Sequence, residues 1–209
     1  MANDLEGKTI LITGATSGIG LEASVALAAM GGRLVMVGRD PAKTAARVAE
    51  VTARSGSSRV ASLLCDLSSQ SEVRRLAEAV RTRYDRLDVL INNAGTVYMK
   101  RTLTEDGLEA TFAVNYLSAF LLTNLLLHLL EQSAPARIVT VSSVGHYDGT
   151  MDFDDLGFQR GYRIMRAYSR SKLAEVLFTR ELARRLQGTG VTANCLHPGA
   201  VATSIWNRA

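Results

Sequence analysis

Tyr168 and Lys172 stand four residues apart in a stretch with helical periodicity. Residues at that spacing share a helix face, so a phenol and an ammonium can meet there. A free tyrosine is a poor base at neutral pH, and a positive charge beside it favours the phenolate. The pair can therefore give and take a proton at an alcohol or carbonyl oxygen, the general acid/base step that accompanies hydride transfer. The spacing alone is not specific, because it recurs on ordinary solvent-facing helices. It gains weight from the strand-like run upstream, which ends Thr140-Val141-Ser142-Ser143. Ligands of open parallel sheets sit beyond the carboxyl ends of strands, which puts these hydroxyls where a substrate oxygen can be held. Ser143 is the expected hydrogen-bond donor.

A second group of residues is suited to phosphate. The run Thr9-Ile10-Leu11-Ile12-Thr13 leads directly into Gly14-Ala15-Thr16-Ser17-Gly18-Ile19-Gly20 and then a helix. Glycines let a backbone approach a pyrophosphate, and the N–H groups and dipole of the helix start favour its charge. The spacing is Gly-x-x-x-Gly-x-Gly rather than the Gly-x-Gly-x-x-Gly of the standard dinucleotide fingerprint. The second strand ends Val37-Gly38-Arg39. An acid there would hold the adenine ribose of NAD, whereas Arg39 can pair with a 2′-phosphate and stack on adenine. NADP(H) is thus expected over NAD(H), although Ser17 stands where a second basic residue would help. The fourth strand ends Ile91-Asn92-Asn93-Ala94-Gly95, small and polar enough for backbone contact with a nucleotide. Asn115 is an amide in an apolar helix. Buried, it needs partners, and a kinked helix that lets it hold a water or the lysine would supply them.

The elements that must position these groups follow from hydrophobic periodicity. Strands are expected at 9–13, 34–37, 60–64, 89–92, 137–142 and 191–195, and helices at 19–30, 41–54, 70–84, 108–131 and 166–187. This alternation predicts βαβ units and an α/β, doubly wound parallel sheet of the Rossmann type. Asp40 before Pro41 reads as a helix N-cap, and Gly188 and Gly190 fall where a C-cap glycine belongs. The long irregular stretch 144–163 is of the kind that carries function. No linker or repeat divides the chain, so residues 1–209 read as a single dinucleotide-binding and catalytic domain.

Composition narrows the alternatives. Hydrophobic residues make up 47% and charged residues 21%, ordinary for a globular enzyme, and the net charge of +4 is scattered rather than gathered into a basic patch for nucleic acid. Cys65 and Cys195 read as two buried free thiols in a reducing compartment. The N-terminus lacks the pattern of a secretory signal, and the apolar stretch 116–130 is shorter than a membrane span, so a cytoplasmic protein with a core helix is expected. Asp152, Asp154 and Asp155 read as a solvated loop and not as a metal site, and no metal is expected. His146 lies near the expected pocket, His128 reads as structural, and His197 as a turn residue beside Pro198.

Together these pieces resemble the short-chain dehydrogenase/reductase family, in the right order over essentially all of the chain. Thr13 to Gly20 matches its Thr-Gly-x-x-x-Gly-x-Gly turn, Asn92 to Gly95 its Asn-Asn-Ala-Gly segment, Tyr168 to Lys172 its active-site pair, and Pro198-Gly199 its post-strand turn. The resemblance implies that Tyr168 is the acid/base and that Lys172 favours its phenolate and binds the nicotinamide ribose. It implies that Ser143 orients the carbonyl and Asn115 anchors a water in a proton relay. Cofactor contacts are implied for Gly14, Thr16, Ser17, Gly18, Ile19 and Gly20 at the phosphates, Asp66 and Leu67 at the adenine, and Asn93, Ala94 and Gly95 along the nucleotide. Pro198, Gly199, Val201 and Thr203 would border the nicotinamide. Phe153 to Leu156, Ser171 to Ala174 and Glu181 to Leu186 are similar to retinol-dehydrogenase-type and other carbonyl-reducing members, which implies a lipophilic alcohol, aldehyde or ketone. The family also implies a homo-oligomer formed through the helices at 108–131 and 166–187. Members usually continue beyond the Pro-Gly turn through a substrate-covering helical segment and a seventh strand, so both are expected to be missing from these 209 residues. That departure raises a cofactor-binding regulatory protein without turnover as a second reading. The complete set Asn115, Ser143, Tyr168 and Lys172 argues against it, and a sugar-nucleotide epimerase fits the glycine spacing less well.

Overall fold

The computed structural model describes residues 4–199 and 201. Its centre is a six-stranded sheet built from β1 (Thr9–Thr13), β2 (Arg33–Gly38), β3 (Val60–Leu64), β4 (Val89–Asn92), β5 (Ala136–Val141) and β6 (Val191–Leu196). All five residues of β1 are buried. That is the signature of a strand covered on both faces, as a parallel sheet requires. The strand order is β3-β2-β1-β4-β5-β6 with every pairing parallel. The order reverses between β1 and β4, and in doubly wound sheets that switch point opens a crevice at the strands' carboxyl ends.

The two-residue period of the strands sorts their side chains between two cores. Ile10, Ile12, Leu34 and Met36 pack with Leu21 and Ala28 of α1 (Gly18–Ala29) and Val51 of α2 (Pro41–Ser55). Leu11, Val35, Leu90 and Ile138 face the other way. There they meet Leu76 of α3 (Gln70–Arg83), Leu122 and Leu126 of α4 (Ala110–Gln132) and Leu182 of α5 (Ile164–Arg185).

Caps fix where the helices begin and end. Asp40 Oδ1 accepts from Lys43 N at 2.7 Å with Pro41 opening α2. The carboxylate of Glu109 accepts from the N–H groups of Thr111 and Phe112, both at 2.8 Å, at the start of α4. Helix α5 starts and stops two residues earlier than expected; its end is set by Leu186 as cap, with the left-handed Gly188 two residues later. α4 contains one π-helical turn at Ala113–Leu117, centred on Asn115, which is the expected irregularity. By length and composition α4 could cross a membrane. Its inner face, Leu122, Leu126 and Leu130, is fully buried in the core. Of the two cysteines, Cys65 is buried as expected, whereas Cys195 is only half-buried at the edge strand β6.

Candidate active site

The glycine turn between β1 and α1 is tied to the end of β4. Thr13 Oγ1 accepts from the backbone N–H groups of Asn93 and Ala94, both at 3.1 Å. Asn93 Nδ2 in turn donates to the carbonyls of Thr13 at 2.9 Å and Gly14 at 3.2 Å. These bonds draw the two segments so close that side chains are excluded. A Cβ on Gly14 would lie 2.7 Å from the Ala94 Cα, and one on Gly20 would lie 2.3 Å from the Gly14 carbonyl oxygen. Gly14 and Gly18 also take left-handed conformations, with φ of 65° and 52°. Ser17 starts α1 without a side-chain cap, and the first turn contains no acid. The helix start therefore offers N–H groups and a positive dipole end to an anion.

From this turn an open cleft of about 1270 Å³ runs over the carboxyl ends of the strands. Thr16, Ser17, Gly18 and Ile19 line one wall, with Arg39, Asp66 and Leu67 at one end and Asn93, Ala94 and Gly95 along the floor. Ser143, Tyr168, Lys172, Pro198, Gly199 and Val201 line the other end. Thr203 lies outside the described residues. Lys43, which the sequence pattern did not single out, joins Arg39 at its end of the cleft. The signal was available: Lys43 is in the first turn of α2, the helix that follows Arg39. Arg39 itself meets Asp66 only loosely, at 3.7 Å, with its side chain 66% exposed. Such an exposed pair is worth little, and the guanidinium can turn to a better anion.

At the chemical end, α5 presents Tyr168 and Lys172 side by side, both buried, with Nζ 5.7 Å from the centre of the tyrosine ring. The two serines after β5 have separate jobs. Ser142 Oγ donates to the Lys172 carbonyl at 3.0 Å and anchors the strand to the helix. Ser143 Oγ accepts from Gly145 N at 3.1 Å, caps the short 3-10 turn Val144–Asp148 and lines the cleft. His146 is bound up in that turn, with Nδ1 2.7 Å from the Ser143 carbonyl and its ring over Tyr147.

The Asn115 side chain does not hold the lysine, one of its two expected partners. Its amide meets neither Lys172 nor the cleft. Oδ1 accepts from Thr96 N at 2.8 Å, and Nδ2 donates to Thr96 O at 3.1 Å and to Ser171 Oγ at 2.9 Å. The Ser171 hydroxyl donates onward to the Tyr168 carbonyl at 2.7 Å. Asn115 thus connects the β4 end, the π-turn of α4 and the backbone that carries Tyr168.

Two further residues escaped the sequence reading. Lys172 Nζ donates to the carbonyl of Val141 at 3.0 Å and to both carboxylate oxygens of Glu175, at 2.9 and 3.1 Å. Arg170 is buried and donates to the carbonyls of Thr150, Asp155 and Leu156, which gives the 144–163 stretch its shape. No group of side chains suited to a metal ion occurs among the described residues.

Comparison with known proteins agrees with this geometry. Residues 8–209 match the family model described as short chain dehydrogenase. Human retinol dehydrogenase 13 is 46% identical over 202 residues, 96% of this chain and 61% of the relative's own length. Human retinol dehydrogenase 14 is 47% identical over 96% of this chain and 64% of its own. The chain thus spans less than two thirds of these relatives. Among solved structures, an uncharacterised protein from Mycobacterium paratuberculosis superimposes with a TM-score of 0.83 at 39% identity, covering 95% of this chain and 72% of that one. A short-chain dehydrogenase from Sphingobium yanoikuyae in complex with NADPH gives 0.79 at 28% identity, covering 97% and 74%.

Proposed function

The chain belongs to the short-chain dehydrogenase family, and from that premise we propose that it moves a hydride between NADP(H) and an alcohol or carbonyl substrate with Tyr168 as general acid/base. The observation that carries this reading is the single cleft that joins the glycine turn at one end to Ser143 and Tyr168 at the other. The start of α1 at Ser17 and Gly18, with no side-chain cap and no acid in its first turn, lines the cleft where a diphosphate would lie. The nicotinamide cofactor, when bound, supplies or accepts the hydride.

The protein's own residues handle the oxygen and its proton. Tyr168 gives its hydroxyl proton to the oxygen during reduction and takes it back during oxidation. Ser143 Oγ holds the same oxygen by a hydrogen bond, stabilising the charge that develops on it. Lys172 favours the phenolate of Tyr168 through its charge, and its Nζ would reach the ribose hydroxyls by exchanging one of its bonds to Glu175 or the Val141 carbonyl. Asn115 fixes the height of the Tyr168 backbone through Ser171. Val201, at the same end as Pro198 and Gly199, would border the nicotinamide.

The finer choices have their own support. Arg39 and Lys43 at one end of the cleft suit a 2′-phosphate, and relatives of known structure are complexes with NADP or NADPH. Val144, Tyr147 and Met165 are exposed apolar residues on the cleft wall, and relatives are named retinol dehydrogenases, so a lipophilic carbonyl or alcohol fits. Phe120 and Leu177 leave apolar surface on α4 and α5, which suits self-association through those helices and is checked by light scattering.

The test is a panel of lipophilic and polar aldehydes, ketones and alcohols run in parallel with NADPH and NADH. Turnover of lipophilic members with preference for NADPH is expected. Cofactor binding without turnover of any member would reject the enzymatic reading.

A further inference from the structure

Glu175 has no part in the reaction described above, yet it takes two of the three donors of Lys172. An ammonium has three N–H groups. Here they are matched by Glu175 Oε1 at 2.9 Å, Glu175 Oε2 at 3.1 Å and the Val141 carbonyl at 3.0 Å. Each side chain of the pair is only 3% exposed. The groups that face Glu175 come from three segments. Lys172 approaches on its own helix, the Ser142 hydroxyl from the residue that follows β5, and the Cys195 thiol from β6, with the Thr179 hydroxyl donating to the Glu175 carbonyl at 2.8 Å. Lys172 is the cation among them.

An ammonium buried to this depth without a counter-charge gives up its proton in preference to staying charged. It would then no longer favour the phenolate of its neighbour. We propose that Glu175 is a positioning residue whose carboxylate keeps Lys172 protonated and aimed, and so sets the pH range in which Tyr168 can exchange its proton. The inference rests on the reading of Tyr168 and Lys172 given above and adds a member that acts through the lysine. Burial pushes the Glu175 carboxyl up to about 7, against the pull of Lys172. The pair is therefore balanced above that pH and carries one net positive charge below it.

The experiment compares wild type, Glu175→Gln and Glu175→Asp in two ways. The first is the pH profile of kcat on any carbonyl the panel finds. For Glu175→Gln the alkaline limb should move down by about one pH unit or more, a tenfold loss at the alkaline end, while Glu175→Asp keeps the wild-type shape. A Glu175→Gln profile that superimposes on wild type after scaling overturns the proposal, even if the variant melts at lower temperature. The second needs neither turnover nor a variant: an NMR titration of the Lys172 Nζ in wild type without cofactor. An inflection near pH 7 reporting Glu175 is expected. A Lys172 signal that does not respond through that range overturns the proposal also if Glu175→Gln fails to fold. Should no carbonyl be turned over, the reaction reading fails while the NMR titration still decides the pairing.

Discussion

The guanidinium carbon of Arg170 lies 3.7 Å from the centre of the Phe158 ring. Phe158 holds this place in a left-handed conformation, with φ of 48°, which a bulky residue adopts only when its surroundings enforce it. Arg170 is 2% exposed, and burial pulls its guanidinium below the usual arginine range. Three backbone carbonyls and an aromatic face satisfy its donors and cover its plane, and the carboxylates of Asp152, Asp155 and Glu109 act on its charge. The clamp joins the 150–158 stretch to α5 two residues after Tyr168.

Arg170→Ala should cost about 3 kcal/mol, since it leaves buried carbonyls unmatched and removes a ring contact. Denaturant unfolding measures this. KM for the carbonyl should rise while cofactor affinity stays near wild type, and Arg170→Lys should recover only part of the loss.

Gly20→Ala tests the turn. The added methyl would lie 2.3 Å from the Gly14 oxygen and 2.5 Å from Asn93 Nδ2, so two segments must separate. Overpacking of this kind costs about 1 to 3 kcal/mol of stability, read by denaturant unfolding, and the displaced turn should bind NADPH more weakly in calorimetry. Gly157→Ala, whose methyl would meet only the Arg101 side chain at 3.9 Å, should bind as wild type does.

Arg39→Ala should weaken NADPH binding by about 1.5 to 3 kcal/mol and leave NADH almost unchanged, because only the former offers a phosphate to a charge-assisted bond. Lys43→Ala should act in the same direction. Equal losses for the two cofactors would show that the basic end of the cleft does not read the 2′-phosphate.

Stability should depend on pH through two buried carboxyls of opposite behaviour. The pKa of Glu175 is raised by burial from 4.5 to about 7, so its stabilising contribution is complete below 4.5 and is lost as pH rises through 7, about 3 kcal/mol in all. Burial works against Asp88 as well. There Arg86 at 2.9 Å, Thr9 N at 2.8 Å and Lys8 at 3.0 Å prevail and hold the carboxyl below its ordinary 3.8. Its contribution is present above 3.8 and lost as pH falls through the lowered value. Melting temperatures from pH 3 to 9 should therefore peak on the acid side of neutrality. Glu175→Gln should flatten the decline above the peak, and Asp88→Asn the fall below it.

What was legible in the sequence was what local pattern dictates. The β1 run, the glycines that follow and the Asn93-Ala94-Gly95 segment each announce their backbone geometry, and the structure joins them as expected. The helix expected at 166–187 ends at Arg185, because Leu186, and not a glycine, caps it. Asn115 was recognised as anomalous, but its partners Thr96 and Ser171 are brought to it only by the folded sheet and helices. Glu175 and Arg170 were missed for the same reason. Lys-x-x-Glu on a helix reads like an ordinary surface pair, and an arginine beside Ser169 and Ser171 reads like a solvent face. Their burial depends on where β5, β6 and the 144–163 stretch dock, which no local window records.

The most direct measurement is single-turnover kinetics of Tyr168→Phe with NADPH and the best carbonyl of the panel, alongside calorimetry of NADPH binding. Loss of the phenolic proton should slow the chemical step by about 10²- to 10⁴-fold while cofactor affinity stays close to wild type. Reduction at an undiminished rate would mean that some other group protonates the oxygen, and the role given to Tyr168 would be wrong.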